Sequence, residues 1–68
     1  MEYIGKHYGG RPVYRAGTTL YYMVTKHKTA DAANKANQRY GVDPAKVVKI
    51  DKWFGRFYLL PKSKYPKF

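Results

Sequence analysis

The chain has 68 residues, and 14 Lys and Arg against 4 Asp and Glu give it a formal charge of +10. That length allows one small domain, close to the limit at which a single apolar core offsets chain entropy, and the lack of Cys excludes disulfide staples, thiolate metal sites and a cysteine nucleophile. Hydrophobic residues at 44% and aromatics at 18% exclude a disordered basic tail, while so much positive charge on so small a surface points to a polyanion or an acidic protein surface as partner.

Residues 1–11 hold Gly5, Gly9 and Gly10 among scattered Tyr, which predicts a loose N-terminal segment or a weak edge strand. From Pro12 to Thr25 the composition turns to Val, Tyr, Thr, Leu and Met, broken at Ala16-Gly17, and predicts a β-hairpin that turns at Gly17. In its second arm Leu20, Tyr22 and Val24 alternate with Tyr21, Met23 and Thr25, and both rows are largely apolar, as in a central strand. After Lys26-His27-Lys28, Thr29 stands at an N-cap position and Asp31 in the first turn of a helix from about Ala30 to Tyr40, with Gly41 at C′. Ala33, Ala36 and Tyr40 share one face with Ala32 beside them, so this helix is expected to pack closely on a sheet, with Asn34, Lys35, Gln38 and Arg39 outward.

Asp43-Pro44 predicts one short capped turn, and Val47 to Asp51 a strand with Val48 and Ile50 inward. A turn through Gly55 is expected over Trp53 to Arg56, followed by a return strand from Phe57 to Leu60 that Pro61 stops. The expected fold is therefore α+β, in the order β-β-α-β-β, over residues 12–61, with one Ala-rich helix on an antiparallel sheet. Residues 62–68 predict a flexible basic tail. The longest apolar run, Leu20 to Val24, falls far short of the roughly 20 residues of a membrane span, and no apolar signal segment opens the chain. The expectation is a soluble, cytoplasmic protein.

Catalytic chemistry finds little to work with. Asp31 and Asp43 have structural roles as a helix first-turn acid and a pre-proline acid, Glu2 lies near the terminus, and the surrounding charge opposes a cation site. His7 and His27 have no second ligand at metal spacing, and Gly9-Gly10 precedes Arg-Pro rather than a phosphate-binding helix. The reading is a non-enzymatic protein without metal or cofactor.

Three basic constellations carry the binding chemistry. Lys52-Trp53-Phe54-Gly55-Arg56 sets two large rings between two cations, suited to stacking on bases while the cations hold phosphates, although rings of this size also serve to close small cores. Lys46 and Lys49 continue the spacing of Lys52 every three residues, which would line a helix but alternates sides on a strand. Lys26, His27 and Lys28 precede a helix N-terminus whose free N–H groups favour an anion, with Asp31 competing. The third group is the tail, with Lys62, Lys64 and Lys67 able to make sequence-independent phosphate contacts.

Gly17-Thr18-Thr19-Leu20, Met23, Lys26-His27, the Ala-rich helix ending near Asn37, Asp43-Pro44 and Gly55-Arg56-Phe57-Tyr58-Leu59-Leu60-Pro61 together loosely resemble the signposts of lysin-motif glycan-binding modules. That resemblance implies a helix over residues 20–25, where β-branched and aromatic side chains favour a strand. In size and layout the chain also resembles small basic α+β phage proteins that bind host polymerases or nucleases. The leading expectation is binding of nucleic acid, DNA or RNA, by phosphate contacts and aromatic stacking. Docking on an acidic protein surface is the second and glycan binding the third, with homo-oligomerisation through a sheet edge left open.

Overall fold

The computed structural model describes residues 1–40 and 44–66. Five strands and one α-helix follow in the order β1 (Glu2–Tyr8), β2 (Arg11–Ala16), β3 (Thr19–His27), α1 (Ala30–Tyr40), β4 (Lys46–Ile50) and β5 (Trp53–Leu59), and a short 3-10 turn spans Lys62–Lys64. The strands form one antiparallel sheet in the spatial order β1-β2-β3-β5-β4. The α+β class, the hairpin over β2 and β3, the central position of β3 and the helix bounds agree with the sequence. Gly41, Asp43, Lys67 and the side chain of Tyr40 lie outside the described residues.

Of the two expectations for the opening segment, residues 2–8 fulfil the edge strand and not the loose segment, because Gly9 and Gly10, at φ 58° and 79°, supply the paired positive φ of a type I′ hairpin turn. The β4–β5 turn lies at Asp51-Lys52, between the paired residues Ile50 and Trp53, and not over Trp53 to Arg56. Asp51 takes a positive φ of 52° there without a glycine, and Gly55 sits inside β5.

Registered neighbours share a face and successive residues alternate, so one contact orients the whole sheet. Arg56 Nε donates to Asn37 Oδ1 of α1, which puts Phe54, Arg56 and Tyr58 on the helix side and Trp53, Gly55, Phe57 and Leu59 on the other. Register then places Val13, Tyr22, Thr25, His27, Val47 and Lys49 on the helix side, and Tyr14, Tyr21, Met23, Lys26, Lys46, Val48 and Ile50 opposite, so Val48 and Ile50, expected inward, face away from the helix.

The helix side holds the covered core. Val13, Leu20 and Leu60 are buried together beneath Ile4, Tyr8, Tyr22 and Tyr65, and the Tyr65 hydroxyl accepts the Leu20 N–H at 3.1 Å. The start of the basic tail is thereby pinned to the sheet. Thr29 caps α1 by accepting the Ala32 N–H at 3.1 Å, and Ala33 is fully buried against the strands. A helix so rich in Ala removes little apolar area from water, and a polar pin supplements it. Asn37 donates to Ala45 O at 2.9 Å, while its Oδ1 accepts from Ala45 N at 3.1 Å and from Arg56 Nε. Among the described residues no helix is long and apolar enough to cross a membrane.

Candidate nucleic-acid interface

With α1 on one side, no described element lies over the opposite face of the sheet. It carries the aromatic side chains of Tyr3, Tyr14, Tyr21, Trp53 and Phe57 beside the apolar Met23, Val48, Ile50 and Leu59. Tyr3, Tyr14, Tyr21 and Leu59 form a row across β1, β2, β3 and β5, with the Tyr3 and Tyr14 rings 5.5 Å apart. Phe57 lies next to that row, its ring edge-on to Tyr14 at 5.2 Å. It is 1% exposed, enclosed by neighbouring rings rather than by a second layer, whereas Tyr3 and Leu59 at its margins are 49% and 63% exposed.

Gly55 explains how the surface continues along β5. A Cβ at this position would stand 2.7 Å from Phe57 Cε2 and 3.1 Å from Trp53 Cζ3, so the phenyl and indole rings lean together over the bare backbone. The glycine that the sequence suggested for a turn makes room for adjacent rings on a strand.

Cations reach this face from two strands. Lys26 Nζ stands 4.9 Å from the Trp53 ring centroid, and Lys46 Nζ 5.3 Å from that of Tyr21. Such contacts at exposed sites are worth about 0.5–1 kcal/mol, below the roughly 1–3 kcal/mol of a base stacked on an aromatic ring. A stacking base therefore has enough energy to displace each ammonium from its ring and leave it for a phosphate. Partial burial, and next the neighbouring Tyr3 phenol, raise the Tyr14 phenol above its ordinary 10.0.

The structure separates the constellations that sequence proximity joins. Trp53 and Phe54 point to opposite faces, and so do Lys26 and His27, whose Nε2 is 2.9 Å from Thr25 Oγ1 on the helix side. Lys28 is exposed beside the cap at Thr29. Lys46, Lys49 and Lys52 divide among the open face, the helix side and the Asp51-Lys52 turn, all exposed. Lys62 and Lys64 are exposed on the 3-10 turn. Arg56 must be corrected as a surface cation. It is 2% exposed and donates to Asn37, to Thr25 Oγ1 at 3.3 Å and to Tyr58 Oη at 3.5 Å, because its even position on β5 turns it under α1.

Tyr3, Tyr14, Tyr21, Phe57 and Leu59 are members of this surface that sequence reasoning missed. The available signal was the second apolar row of β3, which shows a strand with two apolar faces but not that one of them stays uncovered.

The fold and face define a class: a small sheet-and-helix domain with a cation-flanked aromatic surface on its uncovered side. No family model, curated protein or solved structure matches the chain. The strand at residues 19–27 takes away the helix that the lysin-motif resemblance implies.

Proposed function

We propose that this protein is a non-enzymatic nucleic-acid-binding domain whose open sheet face stacks bases on its rings and holds phosphates with Lys26, Lys46 and the surrounding exposed lysines. The observation that carries the reading is the Trp53 indole, half-buried on the uncovered face with the Lys26 ammonium 4.9 Å from its centroid, in a chain of charge +10. An aromatic surface alone suits many partners, but rings with cations in reach match the alternation of base and phosphate.

Titration of labelled oligonucleotides at several salt concentrations tests the reading. Affinity should fall with salt, with a log-log slope of about −0.7 per neutralised phosphate for single strands and about −0.9 for duplex. Trp53→Ala should weaken single-strand binding by about 1–3 kcal/mol while the circular dichroism spectrum keeps its form. A flat salt response sinks the reading.

A second reading, docking on an acidic protein surface, is favoured by the exposed Leu59 and by Val48 and Ile50 on the same face, which give it an apolar as well as a basic character. Retention of one stoichiometric acidic protein from nuclease-treated lysate would favour it.

A further inference from the structure

The sheet ends differently at its two margins. At β1 the ladder breaks in a register shift between Tyr3 and His7, where Gly5 takes a positive φ of 73°, and such a bulge turns an edge away from further pairing. The ladder of β4 is regular, pairing Lys46 to Ile50 residue by residue with Phe57 to Trp53. Among the described residues no strand pairs with its outer side. The turn that ends β4 fixes which backbone groups face outward. Asp51 and Lys52 form a two-residue hydrogen-bonded turn between the paired Ile50 and Trp53, so Ile50 directs its N–H and C=O toward β5. These groups alternate along an antiparallel ladder, which turns those of Lys46 and Val48 toward β5 as well and those of Val47 and Lys49 out of the sheet. Among the described residues no backbone or side-chain group bonds them there.

Charge selects the occupant of this edge. Lys46 projects to the open face, Lys49 to the helix side, and Lys52 stands in the turn, all exposed, with Asp51 the one acid in the run. Between the two strand lysines Val47 and Val48 are half-buried, one on each face. A second copy of this chain would bring its own three lysines to the same seam, at a charge of +10 on each chain. A nucleic acid offers phosphates to the lysines, but its backbone carries no N–H donors for the outward carbonyls. An extended acidic peptide supplies both.

We propose that the outer edge of β4 docks an extended acidic segment of a protein partner, which adds to the sheet as a further strand. The segment pairs its backbone with Val47 and Lys49 and sets one carboxylate beside Lys46 and another beside Lys49. Because these lysines lie three residues apart and so on opposite faces, the matching segment reads acid, apolar, apolar, acid in either direction, its apolar pair lying against Val47 and Val48. Main-chain bonds give such a contact its affinity, and the side chains that meet across the seam give its specificity. The proposal goes beyond the open-face reading and does not depend on it, since the two share Lys46 alone.

The test uses the whole protein with two labelled peptides of the same composition and charge, one carrying Glu-Val-Val-Glu and the other Val-Glu-Glu-Val between identical neutral flanks. By fluorescence anisotropy the first should bind about tenfold more tightly, since only its spacing sets both carboxylates on lysines. Lys49→Gln should weaken it by about threefold to fivefold. Lys35→Gln, on the outward face of α1, makes the same change in net charge and should stay within about 1.5-fold. In amide exchange followed by NMR, the first peptide should slow Val47 and Lys49, whose N–H groups face outward, and leave Val48, already bonded to β5, as it was. Equal affinity of the two peptides overturns the proposal, as does equal loss with Lys49→Gln and Lys35→Gln, or exchange at Val47 and Lys49 that the peptide does not change. Slowing of those two amides by a ten-nucleotide oligothymidylate and not by the peptide overturns it in favour of nucleic acid at the edge. Oligothymidylate binding that falls with Trp53→Ala and survives Lys49→Gln upholds the open face whatever the peptides do, so failure of one reading is told from failure of the other.

Discussion

Gly55→Ala tests the packing on which the open face depends. The added methyl would stand 2.7 Å from Cε2 and 2.9 Å from Cζ of Phe57, well inside van der Waals contact. Phe57 has little room to yield, since it is 1% exposed and Tyr14 abuts it edge-on at 5.2 Å. Overpacking of this kind costs about 1–3 kcal/mol. Gly55 has no positive φ, so alanine recovers about 0.4–1 kcal/mol by restricting the unfolded chain, and the net expectation is a loss of about 1–2 kcal/mol. At about 4–8 °C per kcal/mol for a domain of this size, Tm should fall by roughly 4–16 °C. Thermal and urea unfolding followed by circular dichroism measure the loss, and Trp53 fluorescence reports whether the indole has moved. An unchanged or raised Tm with unaltered emission would refute the placement of both rings over Gly55.

Other substitutions probe the helix side and the edges. Asn37→Ala should cost about 2–4 kcal/mol in urea unfolding, because the Ala45 N–H and the buried Arg56 Nε lose their acceptor together. Tyr65→Phe removes the acceptor of the Leu20 N–H and should cost about 1–3 kcal/mol, with faster exchange of that amide by NMR. In alkaline titration Tyr14 should ionise after ordinary phenols. Its raised pKa favours the folded state below the unfolded phenol value of 10.0, and that contribution is lost as pH rises through the folded value; Tyr14→Phe should flatten the corresponding slope of stability against pH.

Local chemistry made much of the fold legible. Thr29 and the Ala-rich run mark α1, Gly17 marks the β2–β3 turn, and two apolar rows mark β3 as central. The misplacements share a cause, which is that glycine was taken as the signal of a loop or turn. At Gly9-Gly10 that was true but incomplete, since the pair is a hairpin turn and converts the preceding residues into a strand. At Gly55 it was misleading, because the residue leaves room for rings, while the real turn uses Asp51, a non-glycine at φ 52°. That one shift, from residues 53–56 to 51–52, turned Arg56 inward and divided Trp53 from Phe54. Asn37 gave no signal of its role, for its partners Ala45 and Arg56 lie 8 and 19 residues away.

The two faces of the sheet divide stability from recognition. On the helix side, the buried Val13, Leu20 and Leu60, the cap at Thr29 and the bonds made by Asn37 and Tyr65 are satisfied within the chain. On the other side, rings of Tyr3, Tyr14, Tyr21 and Trp53 stay partly in water, although a 68-residue domain has few apolar residues to spare from its core. Phe57 is the exception that joins the two requirements, because it is buried and yet supports the exposed rings around it. Substitutions at Trp53, Leu59 and Lys46 should accordingly alter binding more than folding, whereas Gly55 and Phe57 should alter both. A set of variants in which Trp53→Ala and Phe57→Ala lowered Tm equally would contradict that division, since it would make the indole as necessary to the core as the enclosed phenyl ring.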